Sequence, residues 1–444
     1  MRMNRTRTAR SATALTGLVL ALTGAGTPAT AATAPASQNL VIWDGFEESR
    51  AVDAFHRDVD SFLATHPGVH VSYVDGKTDP QISAAINSGS GPDVVLSPST
   101  DNLSGFCGRG ELQELSSRVA ADGVDLKQFP QPVQDYLHYQ GKLCALPLLS
   151  DAYGLYYNKQ LFAQAGIAHP PRTIAEFTED IHRLTRRNSD GSIAVAGFMP
   201  SMGFYQNEPL HLNVLWNAQW FDASGHSALA EDPSWSRLFH WQRKLIDWYG
   251  PAQLNSFSQS LGDEWSPQNA FEQGKVAMML DGEWRAGMIA QDGSSVPFAT
   301  APLPVQQSKA AGYGGGLITG NILGVARGSQ NSDLAWQLVK YLATDTNAVV
   351  SFANAIENVP TTLAALNSPD LHQDANTRTF LDISRNPNST TPPISANGYA
   401  YNDVLQQAAV KEWESGQAKN LHSWLLSVAA RTNAALAASG TPAP

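Results

Sequence analysis

The chain has 444 residues, more than one hydrophobic core normally supports, and this length suits two lobes. A hydrophobic content of 43% and a charged content of 16% are typical of a globular protein and exclude a disordered chain. The net charge of -11 excludes the basic surface that nucleic acid selects, and it disfavours attraction to an anionic membrane.

The first 36 residues have the order of a secretory signal peptide. Residues 1–10 carry arginines and no acid, residues 11–25 are apolar and small, and Ala29 to Ala31 or Ala34 to Ala36 offers a small-x-small cleavage site. The apolar part is too short to span a bilayer. We therefore predict a signal peptide over residues 1–36 and an exported protein.

The cysteines are Cys107 and Cys144, both in the exported part of the chain. An oxidising compartment favours a disulfide between them, and two buried free thiols are the alternative. Neither cysteine lies at the end of the predicted signal peptide, where the lipobox cysteine of a lipid anchor would stand, so no lipid anchor is expected. Secretion or periplasmic residence is the expected localisation.

The first third of the exported chain alternates strands with helices. A buried strand is predicted at Leu40 to Trp43, a helix from about Glu48, an alternating strand at Val69 to Val74, a helix at Ile82 to Asn87 and a strand at Val94 to Leu96. This order predicts parallel sheets with helices on both faces.

The stretch from Leu143 to Thr185 connects two strand systems. One strand is predicted at Leu143 to Leu146, where Pro147 would end it, and a second at Gly154 to Tyr157. Between them lies the polar and aromatic segment Ser150 to Tyr153. A capping box from Thr173 to Glu176 opens the next helix.

Later elements follow the same pattern. A helix capped at Asp232 is expected to end at Gly250. A second helix should end at Gly274, before a buried strand at Val276 to Leu280 and a turn presenting Trp284. A strand at Ile322 to Val325 and helices at 333–342, 401–413 and 420–436 complete the prediction.

Three segments resemble a known family: PDVVL at 92–96, YGLYYNKQLF with the following PPRT over 153–173, and NAFEQGKVAMMLDGEW at 269–284. The resemblance covers residues 40–436 and is to solute-binding proteins of ABC importers, in the sugar-binding, maltose-binding-protein-like branch (family 1). It implies an α/β type II periplasmic-binding-protein fold with two lobes, each a mainly parallel sheet flanked by helices. Three crossings near 151–153, 301–304 and 357–360 would form the hinge. The implied N-terminal lobe comprises 38–150 and 302–357, and the C-terminal lobe comprises 154–300 and 360–440.

Polar and aromatic residues follow several predicted strands, where open sheets place their binding loops. Such a mixture suits a sugar, whose C–H faces pack on aromatic rings while carboxylates accept hydrogen bonds from its hydroxyls. The resemblance implies that Trp284 matches an indole that stacks on sugar, Asp151 a carboxylate at the first crossing, and Glu208 the acid of a Glu-Pro pair before a helix lining the second lobe. Ser97 and Asp101 replace a Trp and an Arg that touch ligand in the family. The candidate ligand-binding residues are Trp43, Glu47, Ser97, Asp101, Asp151, Tyr153, Glu208, Trp284, Gly316 and Tyr399.

Function is predicted as capture of a sugar or oligosaccharide and its delivery to an ABC permease, by a monomer that is not an enzyme and needs no cofactor. A secreted hydrolase using Asp151 and Glu208 as paired carboxylates is the rival, and a polyol or another polar nutrient is a third possibility. Trp265 is left open between core and site. No metal ligand is assigned, because Pro67-Gly68 between His66 and His70 forbids the helix that their spacing would need.

Overall fold

The computed structural model describes residues 38–47 and 49–438, so the predicted signal peptide lies outside the described residues. The strands are β1 Gln38–Asp44, β2 Val69–Val74, β3 Val94–Ser97, β4 His138–Tyr139, β5 Lys142–Leu143, β6 Leu146–Asn158, β7 Arg186–Arg187, β8 Ile193–Val195, β9 Met278–Gly282, β10 Phe298–Ala301, β11 Ile318–Val325 and β12 Val359–Pro360.

The helices pack around these strands. They are α1 Ser49–Leu63, α2 Asp79–Ser88, α3 Leu103–Gly108, α4 Ser116–Ala121, α5 Gln131–Tyr136, α6 Lys159–Gln164, α7 Ile174–Leu184, α8 Pro209–Leu212, α9 Pro233–Tyr249, α10 Pro251–Gln259, α11 Trp284–Gln291, α12 Ser332–Thr344, α13 Thr346–Ile356, α14 Leu363–Leu366, α15 Ala375–Arg385, α16 Ala400–Ala408 and α17 Leu421–Ala438. Within the described part of the chain, none of them combines the length and apolarity that a membrane crossing requires.

The main sheet is mixed. Strands run in the order β10-β6-β11-β3-β1-β2, with β9 and β12 also paired to β6. The pairs β1–β2 and β1–β3 are parallel, as predicted, but β11 runs antiparallel to both β3 and β6. The expectation of mainly parallel sheets therefore holds for only the first three strands, because β11 returns to them from the opposite direction.

Strand β6 corrects the prediction that Pro147 ends a strand. Pro147 is the second residue of a 13-residue strand, and it lies where the register of β11 shifts between Gly320 and Ile322. A proline is tolerated at a strand start or beside such an irregularity, since no regular ladder bond is lost there. The predicted strand at Leu143 to Leu146 is wrong, because Leu143 instead belongs to the β4–β5 hairpin.

Most residues that begin or end helices do so as their residue types predict. Asp232 caps α9, Gly250 follows it, and Gly166 adopts positive φ after α6. Thr173 accepts a hydrogen bond from the Glu176 N–H, but the Glu176 carboxylate bonds the N–H of Arg172, so the capping box is only half formed. The helix predicted before Gly274 is a series of turns.

Buried apolar side chains form two clusters. The first surrounds β1, β3, β11 and α12, with members such as Leu40, Phe55, Leu323 and Leu338. The second surrounds α7, α9, α16 and α17, with members such as Phe177, Trp235, Leu405 and Leu425. The first cluster continues along β6 to Tyr156 and Phe380, so the clusters alone do not divide the chain, and the lobe boundaries stay a prediction.

The predicted disulfide is confirmed. Cys107 in α3 and Cys144, which follows β5, are bonded across 37 residues with their Cα atoms 5.6 Å apart. Both side chains are buried in the first hydrophobic cluster. The bond therefore ties a helix of that cluster to the segment leading into β6.

Candidate functional site

The site is built where β6 changes partners. Up to Ala152 the strand pairs with β11 and β12, and from Tyr153 it pairs with β9 and then β10. Successive side chains of a strand point to opposite faces, so Asp151 and Tyr153 share one face. The geometry places a carboxylate and an aromatic ring side by side at this switch.

A second carboxylate lies beside Asp151. The backbone N–H of Ala152 donates to Glu283 Oε2 at 2.7 Å, while Glu283 Oε1 is buried without a hydrogen-bond partner among the described residues. Burial, followed by the charge of Asp151, raises the pKa of Glu283 well above its ordinary value. Burial raises the pKa of Asp151 to about 7, although hydrogen bonds from Asn358 and Thr319 oppose this.

This pair predicts a pH dependence of stability. The folded chain retains protons on Asp151 and Glu283 that the unfolded chain releases near its ordinary pKa of about 4. The contribution of Asp151 to stability is thus complete below about pH 4 and is lost as the pH rises through about 7.

We expect Asp151→Asn to raise the free energy of unfolding at pH 8 by about 1–2 kcal/mol, because it removes one of two adjacent buried charges. At pH 5 the gain should largely vanish. Urea unfolding at both pH values measures this, with Asp53→Asn, which alters an exposed carboxylate of α1, as the control. A gain of equal size at both pH values would contradict the prediction.

Aromatic rings line the other side of the switch. The Tyr153 ring stacks on His211 at 4.1 Å and meets Trp284 edge to face, with centroids 5.5 Å apart and an interplanar angle of 89°. Trp284 begins α11, and its buried indole Nε1 has no hydrogen-bond partner among the described residues. An indole N–H in such a position is available to a polar ligand group.

Trp284 is held from both sides. A Cβ at Gly282 would lie 2.2 Å from the indole, so the ring occupies the space that only glycine leaves free. The next residue, Arg285, is fully buried, and its Nε donates to Asp281 Oδ2 at 2.7 Å. These contacts fix the start of α11 and with it the direction of the indole.

Glu208 lies between His211 and Asn402, and the Asn402 N–H donates to the Tyr399 carbonyl oxygen at 2.8 Å. Asn402 Nδ2 donates to Glu208 Oε2 at 2.7 Å, and His211 Nε2 lies 3.4 Å from Glu208 Oε1. The hydroxyl of Tyr399 lies 2.9 Å from Thr100 Oγ1. Burial raises the pKa of the neighbouring Asp101 carboxyl, and the negative charge of Glu208 raises it further. The two carboxyl groups are therefore close enough to interact electrostatically.

A cavity of about 540 Å³ opens beside Trp284. Two predicted site residues, Glu47 and Trp284, border it, together with Asn358, which also contacts Asp151. The remaining lining residues are Arg50, Ala51, Trp265, Met288, Gln291, Asp292 and Ile356. The structure thus places Trp265, left open by the sequence, at this cavity.

Three predicted residues lie apart from these contacts. Trp43 packs against the first hydrophobic cluster under Lys77 Nζ, which is 5.7 Å from the ring centroid. Ser97 is fully buried and donates to Asp79 Oδ2, an atom that also accepts from Asn102 beside Asp101. A Cβ at Gly316 would lie 3.0 Å from the Tyr153 carbonyl oxygen, which makes this glycine a packing requirement.

Another cavity, of about 710 Å³, is lined by residues 135, 138–140, 210, 213–214, 217–221 and 390–394 with Leu317. None of the ten predicted site residues borders it, and Asp135 is the carboxylate among its described lining residues. We place the site at the smaller cavity, because Trp284, whose indole N–H is unpartnered among the described residues, borders it, as does Asn358, which contacts Asp151.

The list of candidate ligand-binding residues omitted four residues of this group: Glu283, His211, Asn358 and Asn402. Glu283 had a signal, since it follows a buried strand and precedes Trp284. His211 comes three residues after Glu208, a spacing that places both on one side of a helical turn. Asn402 had no local signal, because its role depends on the packing of α16 against α8.

An α/β fold with a cavity bordered by aromatic, acidic and amide side chains suits a protein that binds a solute. The model of the bacterial extracellular solute-binding protein family matches residues 48–349, more than half of the chain. The protein belongs to this family, whose members bind solutes and are not enzymes.

Relatives agree with this assignment. The chain is 23% identical to the maltotriose-binding protein of Pyrococcus abyssi (strain GE5 / Orsay) over 345 residues, which make up 76% of this chain and 70% of the relative. It is similar in fold to CpMnBP1 with mannotriose bound, at a TM-score of 0.75 and 24% identity over 89% of this chain and 100% of that one. The sugar-binding protein MalE from the phytopathogen Xanthomonas citri gives a TM-score of 0.74 and 19% identity over 90% and 98%.

Proposed function

We propose that the protein captures a neutral sugar or oligosaccharide at the Trp284 cavity and delivers it to an ABC permease. The named relative and neighbours include proteins for maltotriose and mannotriose, which supports a sugar as the class of ligand. The permease follows from the family alone.

One observation carries the proposal: Trp284 borders a cavity of about 540 Å³ together with Asn358, which contacts the Asp151 carboxylate, and Glu283 directly precedes Trp284 in the chain. That volume is within the range of roughly 300–1,000 Å³ that small-ligand sites occupy. A sugar can stack a C–H face on the indole while its hydroxyls donate to the carboxylates. An anionic ligand would instead meet adjacent negative charges.

We further propose that ligand closes two lobes, with boundaries at 38–150 and 302–357 for one and at 154–300 and 360–440 for the other. Contacts that cross this division are those that a closed form would make. Tyr399 bonds Thr100, and the Gly398 N–H donates to Ser104 Oγ at 3.1 Å. A sugar bridging Asp101 or Asp151 to Glu208 would favour the closed form by its differential contacts.

Secretion with removal of residues 1–36 and a monomeric state complete the proposal. The extracellular description of the family agrees with a secreted or periplasmic location. Mass spectrometry of the secreted protein would give the cleavage site directly.

Isothermal titration calorimetry tests the ligand class. We expect saturable heat with at least one of a panel of gluco-, manno- and chito-oligosaccharides, monosaccharides and polyols, and an unchanged sugar after incubation. New reducing ends would support the hydrolase alternative. If a polyol alone binds, the site is the proposed one but the sugar assignment is wrong. Absence of heat with the whole panel would overturn the proposal.

A further inference from the structure

Three residues from separate elements meet at one end of the sheet, apart from the contacts described above. Asp44 is the last residue of β1, Asp75 directly follows β2, and His56 lies on α1. Their potential ligating atoms all lie within 4.8 Å of one another, and His56 Nε2 is 3.1 Å from Asp75 Oδ1. Carboxylate and imidazole groups at this spacing are a donor set for a metal ion.

The buried member of this group is incompletely satisfied. Asp44 is 0% exposed, and its Oδ1 accepts a hydrogen bond of 3.0 Å from the Phe46 N–H. Its Oδ2 is buried without a hydrogen-bond partner among the described residues. Burial and the adjoining Asp75 carboxyl raise the pKa of Asp44 to about 7. Two carboxyl groups this close need a shared proton or a cation between them.

The other two members are ordered and reachable. The His56 ring stacks on Tyr73 with centroids 3.7 Å apart, which fixes the direction of its Nε2. The side chains of His56 and Asp75 are 27% and 38% exposed, so an ion can enter from solvent. Buried Asp44 forms the base of the site, and the exposed pair forms its mouth.

We propose that Asp44, His56 and Asp75 bind a divalent transition-metal ion of the Zn²⁺ type. Zinc takes one imidazole nitrogen and carboxylate oxygens at about 2.0–2.2 Å, and water can complete its four ligands. An imidazole ligand disfavours Ca²⁺ and Mg²⁺, which prefer oxygen. The ion would compensate the two carboxylates and leave no buried oxygen unpaired.

The ion would join the loops that follow β1 and β2 to helix α1. The first of these loops contains Glu47, and α1 begins with Arg50 and Ala51 close by; all three border the 540 Å³ cavity. Metal binding should therefore stabilise this wall of the cavity. The proposal does not depend on the sugar assignment, because its ligands lie outside the Trp284 contacts.

Calorimetry with Zn²⁺ tests the proposal on untagged protein freed of metal with a chelator. We expect one equivalent of Zn²⁺ to bind and the thermal unfolding midpoint to rise by several degrees. His56→Ala and Asp75→Asn should each weaken Zn²⁺ binding by about 10-fold or more, as loss of a first ligand exceeds typical effects of outer partners. Ca²⁺ should bind much more weakly than Zn²⁺.

His226→Ala is the matched control. His226 Nδ1 also lies near a carboxylate, 4.0 Å from Asp222 Oδ1, but among the described residues this pair is not part of a group of three potential metal ligands. The variant should bind Zn²⁺ like the wild type. Zinc uptake that survives the double change His56→Ala, Asp75→Asn would overturn the proposal, as would no saturable uptake by the wild type. Asp44→Asn should abolish the zinc-dependent rise in midpoint, and a rise of unchanged size in this variant would overturn the assignment of Asp44 as a ligand.

Discussion

Trp284→Ala is expected to weaken sugar binding by about 1–3 kcal/mol, a loss of about 5- to 150-fold in affinity. The indole borders the 540 Å³ cavity, packs edge to face on Tyr153 and has an unpartnered N–H. Truncation removes a stacking surface and a potential hydrogen-bond donor at once. Calorimetric titration with the sugar found in the panel measures the loss.

Two further variants separate the contributions of the ring. Trp284→Phe keeps an aromatic face but no N–H donor, so its affinity should lie between those of the wild type and Trp284→Ala. Trp248→Ala is the control, because Trp248 is 40% exposed on α9, where it packs against His182. Unchanged affinity in Trp284→Ala, with sugar binding intact in the wild type, would remove this residue from the site.

The double change Cys107→Ala, Cys144→Ala is expected to lower the free energy of unfolding by about 3–4 kcal/mol. The disulfide closes a loop with a sequence separation of 37 and thereby restricts the unfolded chain. Alanine is chosen because both sulfur atoms are buried among apolar side chains, where a serine hydroxyl would add a separate cost.

Urea unfolding compares the oxidised wild type, the reduced wild type and the double variant. The free energy of unfolding of the reduced wild type should be close to that of the variant, because both lack the loop constraint. Any remaining difference between them reports the loss of the two sulfur atoms. Sugar affinity of the folded variant should stay near that of the wild type, because the disulfide lies outside the site contacts. Equal unfolding midpoints for oxidised and reduced wild type would refute the expected stabilisation.

Local sequence patterns predicted the early elements well. Val69 to Val74 is β2 with the predicted bounds, and β1, β3 and α1 differ by a few residues at their ends. Alternation, periodic apolar positions and caps act over a few neighbouring residues, so they are legible without the partner element. The same reasoning failed at Pro147, whose place in β6 depends on an irregularity in β11, a strand far along the chain.

The candidate site, like the fold, was only partly predictable from the sequence. Strand-end position and resemblance pointed to Asp151, Tyr153, Glu208 and Trp284, and these side chains have contacts that connect them. Neither signal could reveal that Ser97 is buried under Asp79 or that Gly316 is required by the Tyr153 carbonyl. Residue type and position in a loop do not determine which side chains point inward.

By itself, the sequence indicated an α/β protein of the solute-binding type with one disulfide, and it predicted export and an acidic, aromatic set of site residues. Only the tertiary structure decided that Ala152 bonds Glu283, 131 residues away, and that Asp44, His56 and Asp75 converge. These contacts form because strands that are distant in the chain pair with each other and bury the side chains between them. The pKa shifts that such contacts produce depend on distances in space, and these distances cannot be read from the spacing of residues along the chain.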